Sequence, residues 1–317
     1  MRHIFIINPK AGKSDDTEKL TAQIKKVFEN RDEPYAIEVP TSRENTTKIA
    51  ANYARSNEKV VLYACGGDGT LNDVLNGCMN QENVILSHVP IGSGNDFIKF
   101  FGKNGKKDFL DLEQLINGNI VDVDVLSIND HYSINIANIG LDAMVAFNAN
   151  KFKRLPFVTG KSAYQISLAY SFFTSTKHFM KIKVDGEEQK EDCYSFVVCA
   201  NAKYYGGSYC AAPFADLQDG LMDVILIPKV SRPKILQLMN IYQKGQHLDG
   251  THDDIVHYFK AQKVEIQSDH EIQVCLEGEG YAMQNPLIQI ADQKIPLLVP
   301  KKYTHKNILV EPKEEEK

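Results

Sequence analysis

Apolar and polar positions follow two different rhythms in the first third of the chain. Runs of consecutive apolar residues at 4–7, 60–64 and 84–86 predict short buried strands, and a further strand is predicted at 35–39. Between the runs, apolar residues recur every three or four positions, which predicts amphipathic helices such as one at about 44–56. Buried strands that alternate with helices are typical of a mainly parallel sheet with helices on both faces. We therefore predict an α/β domain at the N-terminus.

The pattern changes after about residue 120, where strand-like runs follow one another with few helices between them. This arrangement predicts a second domain that is a mostly antiparallel β-sandwich. The predicted strands are Val121–Ile128, Tyr132–Ile136, Met180–Val184, Tyr194–Ala200, Met222–Pro228, Lys263–Gln267, Gln273–Leu276, Leu287–Ile290 and Ile295–Val299. Helices are predicted near Lys161–Thr174 and Arg232–Gln243. The predicted domains are 1–128, completed by a returning segment near 295–310, and 129–294.

Composition and charge narrow the class of protein. The chain has 317 residues, of which 43% are hydrophobic and 24% charged, as in an ordinary globular protein. Its formal net charge of −5 argues against a globally basic nucleic-acid-binding protein. No apolar run reaches the roughly 20 residues that cross a bilayer. The six scattered cysteines are typical of reduced thiols, so we expect a cytoplasmic protein with no nucleic-acid partner.

Three glycine-rich turns each follow a predicted strand of the first domain. They are Asn8–Ser14, Gly66–Thr70 and Gly92–Phe97. Glycine lets backbone N–H groups approach a phosphate closely, and ligands bind at the carboxyl ends of the strands in such sheets. None of the turns has the complete P-loop or dinucleotide-binding pattern. Together they predict a phosphate-binding site of another kind.

Acidic residues supply the candidate chemistry. Asp68, inside the second turn, is a candidate ligand for Mg²⁺, and the Thr70 hydroxyl is a candidate hydrogen-bond donor to phosphate. The competing interpretation is that Asp68 caps the following helix. In the second domain, Glu277 and Glu279 flank a glycine and would share one face of an extended chain. Such a pair is able to raise one pKa and create a general base, although an ordinary hairpin turn is commoner. The turn Asp216–Leu221 fits either a bound cation or a plain Asp-Gly turn.

Taken together, these motifs resemble the bacterial diacylglycerol kinase-like lipid kinases, relatives of the diacylglycerol, ceramide and sphingosine kinases. The match runs in order along nearly the whole chain. Its segments are Asn8–Lys13, Gly66–Val74, Pro90–Phe97, Ile134–Ala143 and Asp219–Val224. The Gly66–Thr70 motif alone is shared with the NAD kinase and 6-phosphofructokinase superfamily, whereas the ordered set is specific to the lipid-kinase branch.

The resemblance implies a kinase that uses ATP and Mg²⁺ to phosphorylate a lipid hydroxyl, with diacylglycerol as the expected acceptor. The implied ATP-binding residues are Asn8, Lys13, Thr41, Gly66, Gly67, Asp68, Gly69, Thr70, Leu71, Asn72, Ser93 and Asn95. Asp68 is implied to hold the catalytic Mg²⁺, Asp124 to lie near the metal network, and Glu279 to accept the proton of the lipid hydroxyl. A second, structural Mg²⁺ is implied at Asp216, Asp219 and the carbonyl of Leu221. The active site is expected in the cleft between the two domains.

Three positions depart from the pattern of the family. Glu277 stands where the family usually has Asp, Asp73 where it usually has Glu, and Ser93 where it usually has Thr. Glu277 is kept as a candidate catalytic residue beside Glu279. The departures at 277 and 73 leave open a nucleotide- or lipid-binding regulator without catalysis. The shared nucleotide motif leaves open a kinase of a soluble substrate such as NAD.

A lipid substrate implies a peripheral protein at the inner face of the membrane. Lys151, Lys153, Arg154 and Lys161 flank the apolar segment Leu155–Phe157. This basic–apolar stretch is a candidate contact with anionic lipid, although an ordinary solvated loop explains it equally well. The family also suggests a homodimer.

Overall fold

The chain divides into two compact units, each with its own core. One consists of Met1–Val125 and Asp292–Lys317, the other of Leu126–Ala291. The computed structural model describes residues 1–12, 14–152, 167, 170–171, 178–207 and 209–308. Most of the helix predicted near Lys161–Thr174, and nearly all of the basic–apolar stretch, lie outside the described residues. In the described part of the chain, no helix is both long and apolar enough to span a bilayer.

The first unit is built on a six-stranded sheet. Its strands are β1 (Arg2–Ile7), β2 (Tyr35–Glu38), β3 (Val60–Gly66), β4 (Val84–Pro90), β5 (Asn119–Val123) and the last strand of the chain, β21 (Ile295–Val299). The spatial order is β2-β1-β3-β4-β21-β5. All neighbours run parallel except β5, which lies antiparallel to β21 at one edge. The central strands β3 and β4 are buried along their whole length, as expected for strands covered on both faces.

Helices cover both faces of this sheet, as the sequence predicts. They are α1 (Thr17–Phe28), α2 (Arg43–Ala54), α3 (Asp68–Cys78), α4 (Gly105–Leu110) and α5 (Leu112–Ile116), with a 3-10 helix at Phe97–Phe101. The chain steps outward from β1 to β2 and then back across β1 to β3. Because parallel crossovers are right-handed, these opposite steps place α1 and α2 on opposite faces. Helix α2 packs with α3, and α1 contacts α5.

The second unit contains two larger antiparallel sheets. Its strands are β6 (Leu126–Ile128), β7 (His131–Ser133), β8 (Ile136–Gly140), β9 (His178–Phe179), β10 (Lys181–Val184), β11 (Glu187–Glu188), β12 (Cys193–Ala200), β13 (Tyr204–Tyr205), β14 (Tyr209–Cys210), β15 (Met222–Pro228), β16 (His257–Ala261), β17 (Lys263–Gln267), β18 (Ile272–Leu276), β19 (Glu279–Met283) and β20 (Leu287–Ile290). One sheet has the order β11-β10-β17-β20-β6-β7. The other has the order β16-β15-β12-β8-β18-β19, with β9 paired to β12, while β13 and β14 form a separate hairpin.

The side chains of β12 show how the second unit is layered. Val197 and Cys199 belong to the core that the two sheets share, which also includes residues of β10 and β17. The alternate residues Val198 and Ala200 face the other side, where they meet Tyr242 of helix α7 (Arg232–Gln243). Helix α6 (Leu141–Phe152) follows β8, and a short 3-10 helix spans Gln246–Leu248. The antiparallel β-sandwich predicted from the sequence is confirmed.

Two of the predicted strands are in fact pairs of strands. The run Val121–Ile128 is divided between β5 in the first unit and β6 in the second. The run Tyr132–Ile136 is divided between β7 and β8, which lie in different sheets of the sandwich. Both runs stay buried as the chain passes from one sheet to another, so the pattern of apolar residues carries no mark of the break.

Candidate active site

The glycine-rich turns after β3 and β4 lie side by side at the carboxyl edge of the first unit's sheet and bond directly to each other. The Gly92 N–H donates to the Gly66 carbonyl at 3.0 Å, and the Asp68 N–H donates to the Gly94 carbonyl at 3.2 Å. The strands that carry these turns are parallel neighbours, and β1 is the next neighbour of β3. Successive strands are added first on one side of β1 and then on the other, and such a reversal of strand order is the position at which these sheets bind ligands.

Three glycines are required by the packing of these turns. A Cβ atom on Gly66 would lie 2.2 Å from Thr70 Oγ1, and one on Gly67 would lie 2.6 Å from the Gly94 carbonyl oxygen. A Cβ on Gly92 would lie 2.3 Å from the Gly67 Cα. Gly69 differs, because a Cβ added there meets nothing within 4 Å. The protein itself therefore does not explain Gly69, which lies in the first turn of α3 beside open space.

Asn8 links the turn after β1 to the same loop. Its side-chain Nδ2 donates to Thr70 Oγ1 at 2.9 Å, while its Oδ1 accepts the Lys10 N–H at 3.0 Å. Thr70 is buried and packs closely against Gly66, and the hydrogen bond from Asn8 holds its hydroxyl in place. Lys13 lies outside the described residues.

Asp68 is the first residue of α3, and its carboxylate serves a different helix from the one it begins. Gly67 is the N-cap of α3. The Asp68 carboxylate accepts the N–H groups of Asp96 at 2.7 Å and Phe97 at 3.2 Å, at the start of the 3-10 helix. Burial raises the pKa of Asp68 to about 6, and the nearby Asp96 carboxylate acts in the same direction. The capping interpretation was therefore partly right, but it named the wrong helix.

Asp96 is not among the site residues expected from the sequence. In the structure, Asp96 is buried and its carboxylate pairs with Lys99 at 2.6 Å, without capping the 3-10 helix. It thus adds a second carboxylate close to Asp68. The spacing Asn-Asp-Phe at the end of a glycine-rich turn is the signal that would have identified it.

Two buried amide oxygens at this edge have no hydrogen-bond partner among the residues that the structure describes. They are Asn72 Oδ1, on the second turn of α3, and Asn95 Oδ1, whose amide nitrogen donates to the Gly92 carbonyl at 2.6 Å. A buried acceptor without a partner costs about 1–3 kcal/mol. A ligand that supplies hydroxyl or amino donors would satisfy both oxygens, so the chemistry of this edge fits a nucleotide.

Thr41 and Ser93 also lie at the carboxyl edge. Thr41 follows β2, and its N–H donates to Asn45 Oδ1 at 3.0 Å just before α2. Ser93 is exposed within the turn after β4. Arg43, the first residue of α2, forms a two-pronged ion pair with Asp73 of α3, with the shortest N–O distance at 2.7 Å. The departure at position 73 thus has a partner within the chain.

Asp124 does not lie with the other candidate residues at the carboxyl edge of the sheet. It follows β5, which runs antiparallel to its neighbour, so Asp124 lies at the amino edge of the sheet, opposite the glycine-rich turns. Its carboxylate is 1% exposed and pairs with Lys294 at 2.9 Å. The proposed role of Asp124 near a metal stays a prediction.

In the second unit, Glu277 and Gly278 form a hairpin turn between β18 and β19. Both residues have positive φ, +50° and +84°. The expectation that Glu277 and Glu279 share one face of an extended chain was wrong, because two left-handed residues reverse the chain at this point. Glu279 begins β19 opposite Leu276 and is half-buried.

The Asp216–Leu221 turn is held by contacts within the chain. Asp216 and Asp219 each accept a backbone N–H two residues ahead, from Gln218 and Leu221. The other oxygen of Asp219 pairs with Lys260 at 2.8 Å. Among the described residues, no group of three histidines, cysteines or acids is arranged to hold a metal. The structural Mg²⁺ at this turn stays a prediction.

The two units together define a kinase-like architecture of an α/β nucleotide-binding domain and an antiparallel sandwich. The same fold is found in a diacylglycerol kinase from Bacillus anthracis str. Sterne, with a TM-score of 0.69 and 18% identity over 96% of this chain and 98% of that chain. Residues 2–128 match the diacylglycerol kinase catalytic domain. Residues 135–299 match the YegS C-terminal NAD kinase beta sandwich-like domain.

Sequence relatives give the same result. The chain is 26% identical to a diacylglycerol kinase of Bacillus subtilis (strain 168), covering 87% of this chain and 88% of that protein. It is 27% identical to a diacylglycerol kinase of Staphylococcus saprophyticus, with the same coverage. The chain belongs to the diacylglycerol kinase-like family of lipid kinases, and the resemblance seen in the sequence is confirmed.

Proposed function

We propose that this protein transfers the γ-phosphate of ATP to the hydroxyl of a membrane lipid, with diacylglycerol as the acceptor. The observation that carries the proposal is the interlocked pair of glycine-rich turns, with Asp68, Asn72 and Asn95 at the carboxyl edge of the first sheet. Phosphoryl transfer needs mainly positioning and charge stabilisation from the protein. This edge provides both.

The proposed ATP-binding residues at or beside this edge are Asn8, Thr41, Gly66, Gly67, Asp68, Gly69, Thr70, Leu71, Asn72, Ser93 and Asn95. Lys13, which lies outside the described residues, is proposed with them from the sequence. The N-terminus of α3 presents the positive end of a helix dipole, which favours phosphate. The open space beside Gly69 leaves room for a phosphate to approach the backbone.

Asp68 fits a magnesium ion. Each of its carboxylate oxygens accepts one backbone N–H and keeps a second lone pair. Proteins commonly bind Mg²⁺ through one or two carboxylates plus substrate phosphates and water, so a cluster of three acids is not needed. When bound, the ion would neutralise charge on the phosphates. Asp68 would hold it, and the Asp68 carboxylate is itself fixed by the 3-10 helix.

Glu279 is assigned as the base that takes the proton of the lipid hydroxyl. It lies at the first position of β19, directly after a tight turn, and its place is therefore set by strand pairing. A base must reach the proton it removes at hydrogen-bond distance, so a fixed backbone at this position favours the reaction. Access to a lipid requires the protein to work at the membrane surface.

A second candidate is phosphorylation of a soluble substrate such as NAD. It is favoured by one observation, the match of residues 135–299 to a sandwich domain described as NAD kinase-like. The match of residues 2–128 to the diacylglycerol kinase catalytic domain favours the lipid.

The test is a phosphorylation assay with ATP and Mg²⁺ against a panel of lipids in mixed micelles, with NAD as the soluble alternative. Glu279→Gln and Asp68→Asn serve as inactive controls of nearly unchanged shape. Label transferred to diacylglycerol by the wild type, and lost in both variants, supports the proposal. Transfer to NAD without lipid supports the second candidate, and ATP binding without any transfer contradicts both.

A further inference from the structure

The Glu277 carboxylate is the anchor of the turn that carries Glu279. One of its oxygens, Oε1, accepts three hydrogen bonds. The donors are the Ser133 hydroxyl at 2.5 Å, the Asn135 N–H at 2.9 Å and the Ile136 N–H at 3.3 Å. Ser133 and Asn135 are fully buried, so these donors belong to the interior of the second unit.

The position of these donors follows from strand pairing. Strand β18 pairs with β8 as far as Leu276, opposite Ala137. Beyond that point β18 turns away, and the N–H groups at the start of β8 lose their backbone partner. The Glu277 side chain supplies the missing acceptor, which a buried N–H group requires. The Glu277 carboxylate therefore accepts hydrogen bonds from β8 at the point where the backbone of β18 no longer does.

The turn itself needs such an anchor. Glu277 is one of few non-glycine residues with positive φ in the described part of the chain, and this conformation is uncommon for a side chain of its size. Glu279 follows two residues later at the first position of β19, where its backbone pairs with Leu276. Contacts that fix Glu277 therefore also fix where Glu279 starts.

We infer that Glu277 is a positioning residue: bound to Ser133 and to the start of β8, it sets the place of Glu279 and takes no proton itself. This inference rests on the proposed function, in which Glu279 is the base. Protonation at Oε1 would put a hydrogen where three donors already point, so this oxygen is suited to accepting hydrogen bonds and unsuited to carrying a proton.

The length of the Glu277 side chain suits these contacts. Aspartate is one methylene shorter, about 1.5 Å of reach. The longer side chain brings the carboxylate to Ser133 as well as to the two N–H groups. The contact with Ser133 therefore uses the full length of the glutamate side chain.

The experiment compares Glu277→Gln with Glu277→Ala in the lipid kinase assay, with Glu279→Gln as the reference for a lost base. The amide oxygen of glutamine accepts the same three donors, so we expect a loss in kcat of less than about tenfold and an unchanged pH profile. Alanine leaves the turn unanchored, and we expect a loss of roughly 100-fold in kcat with unchanged KM for ATP. Glu277→Gln as inactive as Glu279→Gln, or with a shifted pH profile, would overturn the inference.

Hydrogen exchange at the Asn135 and Ile136 amides separates this inference from the proposed function. We expect both amides to be protected in the wild type and in Glu277→Gln, and to exchange faster in Glu277→Ala. Unchanged protection in Glu277→Ala contradicts the anchor even in an active enzyme. A wild type that phosphorylates no lipid, but shows the expected exchange pattern, contradicts the proposed function and leaves the anchor supported.

Discussion

Gly66 and Gly69 are three residues apart in one loop, yet they are glycine for different reasons. At Gly66, a Cβ would overlap the Thr70 side chain. At Gly69 it would meet only open space, and glycine within a helix costs about 0.5–1 kcal/mol relative to alanine. The protein accepts this cost where its own packing does not demand it. A ligand that approaches the backbone closely is the physical explanation.

This contrast gives the first prediction. Gly69→Ala should raise the free energy of unfolding by up to about 1 kcal/mol, because alanine stabilises the helix. It should also raise the KM for ATP at least roughly tenfold, because the new methyl group occupies the space assigned to phosphate. Gly66→Ala is the matched control. It should lower stability by about 1–3 kcal/mol through overpacking. Urea unfolding and ATP titration measure both effects, and Gly69→Ala with normal KM contradicts the assignment.

At the scale of elements, the packing of α2 against α3 determines how the turn that contains Thr41 lies relative to the glycine-rich turn Gly66–Thr70. The link is the ion pair between Arg43, at the start of α2, and Asp73, whose side chain is 13% exposed. The Thr47 hydroxyl also donates to the Asp73 carbonyl at 3.1 Å. Helix α3 begins at the glycine-rich turn Gly66–Thr70, so this ion pair ties together two turns of the proposed ATP site.

The second prediction concerns this ion pair. Arg43 is 41% exposed and therefore partly screened, so we expect a coupling free energy of about 0.5–1 kcal/mol between Arg43→Ala and Asp73→Ala. Both variants should also raise the KM for ATP, because α2 carries the Thr41 turn. A double-mutant cycle in urea measures the coupling, with Lys48→Ala, an exposed lysine about one helical turn further on, as control. Additive single effects would show that the pair contributes nothing.

The helices and strands were largely predictable from the sequence. A helix buried on one face repeats its apolar residues with a period of 3.6, and a strand buried on both faces is a continuous apolar run. The breaks at 124–125 and 134–135 were not predictable, since the chain stays buried across them. The turn Gly66–Thr70 could be singled out by its glycines, and its role in binding a nucleotide stays a prediction. The role of Glu277 could not, because its partners lie about 140 residues away and are found only by strand pairing.

At the scale of the whole molecule, each unit buries at least one histidine in its neutral form. His3 and His88 lie in the first unit, and His247 lies in the second, all at most 2% exposed. His88 Nε2 lies 3.2 Å from the carbonyl oxygen of Gly66, the last residue of β3. Burial lowers the pKa of each of the three to about 4. The unfolded chain keeps the ordinary value of 6.5.

The sign of the resulting pH dependence follows from linkage. The folded pKa is depressed, so the unfolded state binds protons first as the pH falls below 6.5, and stability present at neutral pH is lost down to about pH 4. Each histidine should lower the free energy of unfolding by about 2 kcal/mol between pH 7.5 and pH 5.

We therefore predict a steep fall in Tm over this range. His88→Gln keeps a side-chain donor for the Gly66 carbonyl but cannot titrate, so the fall should be shallower. Melting curves of both proteins at pH 7.5, 6 and 5 measure the difference. Parallel curves would show that His88 charges without cost, which its complete burial under the Gly66 loop does not allow.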